Sequence, residues 1–332
     1  MFDVDFYMNF DDECDPEAIR NETPVVYNIE TTNACNMRCV MCPRTTLMTR
    51  PVVTMKPELF KRIVDQIEPH HELLWMEWED YVEDTYGIDP DDMSENHFFL
   101  YIIPKVIQLH GYGEPLLDKN MGLYVELLAN KGLLSYFSCN PANVNGSTSE
   151  LFRRGLDYIK FSVESVDDET HRSIRGDVSN CRKLLDLINE KEQKRLSTRI
   201  IITMLDLNRG NQLEEFEKLK EYFKDTGSYV YFKSQDTQWL NNDYHGTKSI
   251  HWSEPCKHPW MSMTIKSNGE ACQCMEDFNN AIVLGDTNKE SLIDIWNGER
   301  YAKLRQDHLE LTKGIQCTER CDMRLVGEYV GR

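Results

Sequence analysis

Six strand-like runs separated by stretches of helical periodicity occupy residues 25–240 of this chain. The runs are 25–31, 105–110, 134–138, 158–165, 198–205 and 229–233, and the helical stretches are 56–68, 122–130, 149–154, 180–195 and 212–224. Strands that alternate with helices run parallel, because each helix carries the chain back across the sheet. Eight such units close a TIM barrel, so six predict an α/β fold built on an open, partial (β/α)6 TIM barrel, with catalytic groups at the C-terminal strand ends. After about residue 240 the pattern changes to short strands, turns and cysteines. The expected organisation is an acidic N-terminal arm over 1–24, the partial barrel over 25–240 with an acidic insertion at 70–99, and a small C-terminal domain over 241–332.

The chain holds eleven cysteines. Its acidic start lacks the basic residues of a signal peptide. No run approaches the roughly 18 apolar residues of a membrane span. A cytoplasmic location without a membrane partner is therefore expected, where cysteines serve metal or redox chemistry rather than disulfides. A net charge of −19 repels phosphate backbones, so no nucleic-acid partner is expected. The same charge would suit a cationic substrate, or would only keep the protein soluble.

Cys35-x3-Cys39-x2-Cys42 follows the first strand-like run directly. Three thiolates on one loop suit three irons of a cubane cluster and leave the fourth iron open. A structural zinc site would want a fourth protein ligand, for which His110 is the conceivable candidate. The segment from Asn33 through Cys42 to Pro43 resembles the cluster motif of the radical S-adenosylmethionine (SAM) superfamily. The resemblance implies a [4Fe–4S] cluster whose open iron binds the amino and carboxylate groups of SAM. It further implies reductive cleavage of SAM to a 5′-deoxyadenosyl radical, fed by an external donor such as flavodoxin or ferredoxin.

Other parts of the family pattern follow in order. Met41, where an aromatic residue is common, would pack its thioether on the adenine. Gly111-Tyr112-Gly113-Glu114-Pro115 resembles the turn that receives the SAM amino group: glycines let the backbone approach, and Glu114 is a charge partner for an ammonium. Ser162 and Arg175 resemble the positions that hold the SAM carboxylate, with a surface arginine as the competing reading. Met204 and Leu205 are candidates for the adenine pocket, with core packing as the competing reading.

Downstream, Cys256 is followed by Asn268-Gly269, a hairpin signal, and by Cys272, Cys274, Cys317 and Cys321. This resembles the SPASM domain and its shortened form, twitch, and implies one auxiliary [4Fe–4S] cluster. The implied ligands are Cys256, Cys274, Cys317 and Cys321, with Cys272 as a substitute for Cys274. Four thiolates would also hold zinc.

Cys139, at the end of the third strand, and Cys272 are candidate hydrogen-atom donors; small buried side chains are the alternative. Ten of residues 70–99 are Asp or Glu and none is Lys or Arg. This insertion is either a lid for an amine-bearing substrate or a solvated helix docked by Leu74, Trp78, Tyr81 and Val82. The single auxiliary cluster is similar to that of aminocyclitol dehydrogenases. It implies oxidation of a carbinol in a sugar-like or aminocyclitol-like small molecule to a ketone, with the auxiliary cluster as electron acceptor. Redox-neutral epimerisation and modification of a peptide substrate are the alternatives, although 24 residues before the first strand are few for a peptide-recognition domain. The non-enzymatic alternative is an iron–sulfur electron carrier.

Overall fold

The computed structural model describes residues 1–11, 13–233, 255–315 and 317. Six strands run parallel in chain order: β1 (Val26–Ile29), β2 (Val106–Gln108), β3 (Leu134–Cys139), β4 (Tyr158–Ser162), β5 (Arg199–Leu205) and β6 (Tyr229–Lys233). They form the expected partial barrel. Three more follow: β7 (Met263–Ile265), β8 (Glu270–Cys272) and β9 (Val283–Asp286). The order across the sheet is β6-β5-β4-β3-β2-β1-β7-β8-β9. The C-terminal segment thus extends the barrel sheet. β7 lies parallel to β1, with Asn28 opposite Thr264. The β7–β8 hairpin turns at Gly269, whose φ of +91° favours glycine.

Side chains on a strand point alternately to opposite faces, and this sorts the core into two clusters. Ile107, Phe137, Phe161 and Ile202 face the surrounding helices, where they meet Tyr124, Leu184 and Leu219. Tyr27, Val106, Tyr136, Ile201 and Tyr231 face the barrel interior. That interior is filled by residues from outside the barrel strands: Phe2, Val4 and Phe6 of the N-terminal arm, Trp78, Val82 and Phe98 of the insertion, and Tyr101 just after it. Trp78 is fully buried, and its Nε1 donates to the Leu100 carbonyl at 2.6 Å. The ring of Phe2 meets it edge-on, 5.8 Å between centroids.

Three local features differ from the sequence expectation. The acidic arm folds into a helix, Val4–Asn9, capped by Asp3, because Val4, Phe6 and Tyr7 can bury one face. The helix Asp168–Arg175, capped by Asp167 and closed by Gly176, was not anticipated. β4 ends at Ser162 rather than at residue 165, since the Glu164 N–H is taken by Nδ1 of His171 at 3.1 Å.

Candidate active site

The cysteine loop after β1 is tied to the helix Asp168–Arg175. Arg38 N–H donates to the Arg175 carbonyl at 3.1 Å and Val40 N–H to the Ile174 carbonyl at 2.9 Å. Gly176 lets the two segments approach, since a Cβ there would lie 2.9 Å from the Arg38 nitrogen. This docking brings Arg175 to the cysteines: its Nη1 stands 3.9 Å from Cys39 Sγ. Its Nε donates to Glu164 Oε1 at 3.0 Å. Burial works against the guanidinium, but Glu164 and Cys39 outweigh it and hold the charge firmly in place. Arg175 is thus not a surface arginine.

The turn after β2 lies against the start of the same loop. A Cβ on Gly113 would strike the Thr32 carbonyl, and one on Gly111 the Glu30 carboxylate. Both positions therefore need glycine. Glu114 N–H donates to the Ala34 carbonyl at 2.8 Å. The Glu114 side chain is 3% exposed and accepts from Leu116 N–H at 3.1 Å and Asn140 N–H at 2.9 Å. Burial pushes this carboxyl up to about 7, against the pull of those two donors. A buried carboxylate of this kind gains from an ammonium partner.

Cys35, Cys39, Met41, Cys42, Gly111, Tyr112, Gly113, Glu114, Ser162, Arg175 and Leu205 all line one cavity of about 350 Å³. It continues into the barrel between the inward-facing Gln108, His110, Ser138, Lys160, Thr203 and Lys233. The aromatic residues Phe2, Tyr27, Phe98, Phe99 and Tyr136 also line it. Lys160, 7% exposed, holds its Nζ 4.5 Å from the Phe98 ring centroid.

Among the described residues no three His, Cys, Asp or Glu side chains converge on a point where one metal ion would sit. That geometry disfavours zinc at the first triplet. A cubane takes each thiolate on a separate iron, and Cys35, Cys39 and Cys42 all line the one cavity. Burial pushes the Cys35 thiol up to about 12 and the Cys42 thiol up to about 11, so bound metal would have to supply the charge that makes them thiolates. His110 is not spare for zinc: its Nδ1 accepts from Ser138 N–H at 3.3 Å.

The family model of the radical SAM superfamily matches residues 29–223, more than half of the chain. The chain belongs to the radical SAM superfamily. A second family model, SPASM, described as an iron–sulfur cluster-binding domain, matches residues 256–322. One curated relative is the S-adenosyl-L-methionine-dependent 2-deoxy-scyllo-inosamine dehydrogenase of Niallia circulans, 22% identical over 280 residues, which are 84% of each chain. The crystal structure of BtrN in complex with AdoMet and 2-DOIA matches with a TM-score of 0.51 at 16% identity, covering 91% of this chain and all of that one. Streptococcus suis SuiB bound to precursor peptide SuiA matches with a TM-score of 0.53 at 14% identity, covering 86% of this chain and 67% of that one. Both solved structures share the fold with this chain.

The cofactors of this radical SAM enzyme are therefore a [4Fe–4S] cluster and SAM, with auxiliary iron–sulfur in the SPASM region. In that region Cys274 and Cys317 meet in a small buried cluster with Ile282 and Ile315. Cys256 is half-buried, and Cys321 lies outside the described residues. Cys272 is fully buried and donates its thiol to the Cys274 carbonyl at 3.3 Å. It is not among the residues lining the cavity. The structure thus favours Cys274 over Cys272 beside Cys317, and does not place Cys272 where it could hand hydrogen to a substrate.

Two more expectations are corrected. Met204 is fully buried on the helix-facing side of β5, while its neighbours Thr203 and Leu205 line the cavity. The acidic insertion reaches the cavity through Phe98 and Phe99, but none of its carboxylates lines it, so it offers no acidic lid there. It docks by Trp78 and Val82, and its carboxylates are exposed or half-buried on the outside. Cys139 does touch the cavity, but it packs with Phe137 on the helix-facing side of β3. Gln108, Lys160, Glu164 and Lys233 were missed. For Gln108, Lys160 and Lys233 the signal was a polar side chain at an inward position of a short apolar strand; Glu164, just past β4, carried none.

Proposed function

We propose that this radical SAM enzyme oxidises a carbinol carbon of a polyhydroxylated small molecule, of the sugar or aminocyclitol class, to a ketone. The observation that carries this reading is the single cavity of about 350 Å³ running from the cysteine loop into a polar barrel interior. Beyond the residues assigned to SAM, its inner wall mixes polar side chains with aromatic rings, which suits a compact hydroxylated partner. Gln108 is 3% exposed, and its Nε2 has no partner among the described residues. A buried amide in that state calls for a ligand acceptor. The rings of Phe98 and Tyr136 offer apolar faces beside it, a mixture suited to a hydroxylated ring.

Bound here, the cluster and SAM would supply a radical that takes a hydrogen atom from carbon, the auxiliary cluster would supply a sink for one electron, and the hydroxyl proton would leave to a base or to solvent. The chain does the positioning. Cys35, Cys39 and Cys42 would hold the cluster; Glu114 would accept the N–H groups of the SAM amine; Arg175, fixed by Glu164, would face the carboxylate with Ser162. His110 is kept neutral, its pKa pushed down to about 3 by burial and then by Lys160. Because its Nδ1 accepts from Ser138, the ring proton sits on Nε2 as a donor. The activity named for the Niallia circulans relative supports this reading.

The test uses anaerobically reconstituted protein, SAM, a strong reductant, and 2-deoxy-scyllo-inosamine together with neutral cyclitols as trial substrates. One ketone, lighter by two hydrogens, should form per 5′-deoxyadenosine. A product of unchanged mass in ordinary water that gains one deuterium when the reaction is run in heavy water would instead establish epimerisation. Cys139→Ala separates the two at the residue level: ketone formation should survive it, whereas an epimerase using that thiol would stop.

A further inference from the structure

His308 sits near the end of the helix Glu299–Leu309 and is 1% exposed. Its Nε2 lies 3.3 Å from Cys317 Sγ and 3.4 Å from Gln273 Nε2. Gln273, one residue before Cys274, is 3% exposed. Its Oε1 has no partner among the described residues. In this arrangement the ring nitrogen acts as acceptor for both neighbours. Iron at Cys317 reverses that. A ligating thiolate has no proton to give and takes hydrogen bonds instead. The ring proton must then sit on Nε2 and point at sulfur. A half-turn of the Gln273 amide, whose oxygen and nitrogen are interchangeable in shape, brings the orphaned Oε1 to the same N–H and satisfies it.

We propose that His308, held by Gln273, donates an N–H···S hydrogen bond to Cys317 and raises the reduction potential of the auxiliary cluster. The physical reason is that a donor at a ligand sulfur stabilises the more electron-rich, reduced state. The separation suits a hydrogen bond to sulfur, and His308 is a positioning residue rather than a ligand. The inference rests on the iron–sulfur cluster of the SPASM region and holds whichever substrate the barrel takes.

The experiment is a redox titration of the auxiliary cluster followed by electron paramagnetic resonance. It is run in a full-length Cys35/Cys39/Cys42→Ala background, so that only that cluster reports. His308→Ala should keep the auxiliary iron and sulfide content and shift the midpoint to a more negative potential. His308→Gln places an amide N–H near the lost ring nitrogen and should return part of the shift. Gln273→Leu should move the potential the same way as His308→Ala, by less. On the unsubstituted residue, nitrogen hyperfine spectroscopy should show the weak coupling of a hydrogen-bonded ring. An unchanged midpoint in His308→Ala overturns the proposal. So does a strong coupling typical of a directly ligated nitrogen, a result that does not depend on any variant folding.

Discussion

Glu114 is buried before any ligand arrives, with two backbone donors already on its oxygens. Burial nonetheless raises its pKa to about 7. SAM should therefore bind the ionised form and release a proton as it does so. Affinity should climb with pH up to about 7, approaching tenfold per unit well below it, and flatten above. Glu114→Gln should abolish that slope and weaken binding by roughly 10–100-fold, the value of a charged hydrogen bond of about 1.5–3 kcal/mol. Equilibrium binding of SAM to reconstituted protein across pH 5.5–8.5 checks both (the range being about two units around the midpoint). A flat profile would mean that another group receives the ammonium. The sign for folding is opposite. A raised carboxyl pKa means that the native state holds the proton longer than the unfolded chain. Through this group the unliganded fold thus loses stability as pH rises from about 4.5 to about 7. Glu114 stood out in sequence because it sits in a Gly-x-Gly-Glu-Pro turn directly after a strand-like run. Met204 was misassigned for the reason that Thr203 and Leu205 were half-seen: in a strand of seven residues flanked by apolar neighbours, nothing local says which parity faces the cavity.

At the level of elements, one buried ion pair joins three of them. Glu30, just past β1, is fully buried and accepts from Arg50 Nη1 at 2.9 Å and Nη2 at 2.7 Å. It also accepts from Ser267 in the β7–β8 turn at 2.9 Å, while Arg50 Nε donates to the Phe278 carbonyl at 2.7 Å. Burial alone would raise Glu30, but Arg50, Lys266 and Ser267 outweigh it and hold its pKa below the ordinary value. Its contribution is therefore intact at neutral pH and is lost only as pH falls below about 4.5. Arg50→Met strands a buried carboxylate and should cost about 3–5 kcal/mol in denaturant unfolding. Arg50→Met with Glu30→Gln should recover part of that. If the single and double variants unfold alike, the pair does not couple the segments. The six strands and the Asn268-Gly269 hairpin were readable because they are local patterns. The Arg50–Glu30 link was not, since no spacing in the chain relates a residue of the loop before the first barrel helix to one beyond β1.

The whole molecule is shaped by what fills its open barrel. The N-terminal arm and the insertion meet at Trp78, whose ring touches Phe2, Tyr7 and Tyr81. Phe2 and Phe98 reach the cavity from this packing. Trp78→Ala should cost about 3–5 kcal/mol in denaturant unfolding of the protein. It should also raise the KM for a barrel-bound substrate more than it changes SAM affinity, because Phe2 loses its backing. Equal loss of both would place the plug's role in folding alone. The sequence showed an apolar face on the insertion but not its destination: a helix that docks inside a barrel and one that docks outside carry the same periodicity. The pairing of β7 with β1 was equally hidden, being a contact between segments more than two hundred residues apart.

That pairing also has an electrical consequence. Tunnelling between redox centres falls off exponentially with their separation. Here the loop carrying Cys35, Cys39 and Cys42 springs from β1, and Cys274 follows β8, two strands away in the same sheet. The gap between these two attachment points is therefore set by strand spacing. An electron passed between centres held at those points would cross a distance that the sheet fixes, leaving driving force as the adjustable part.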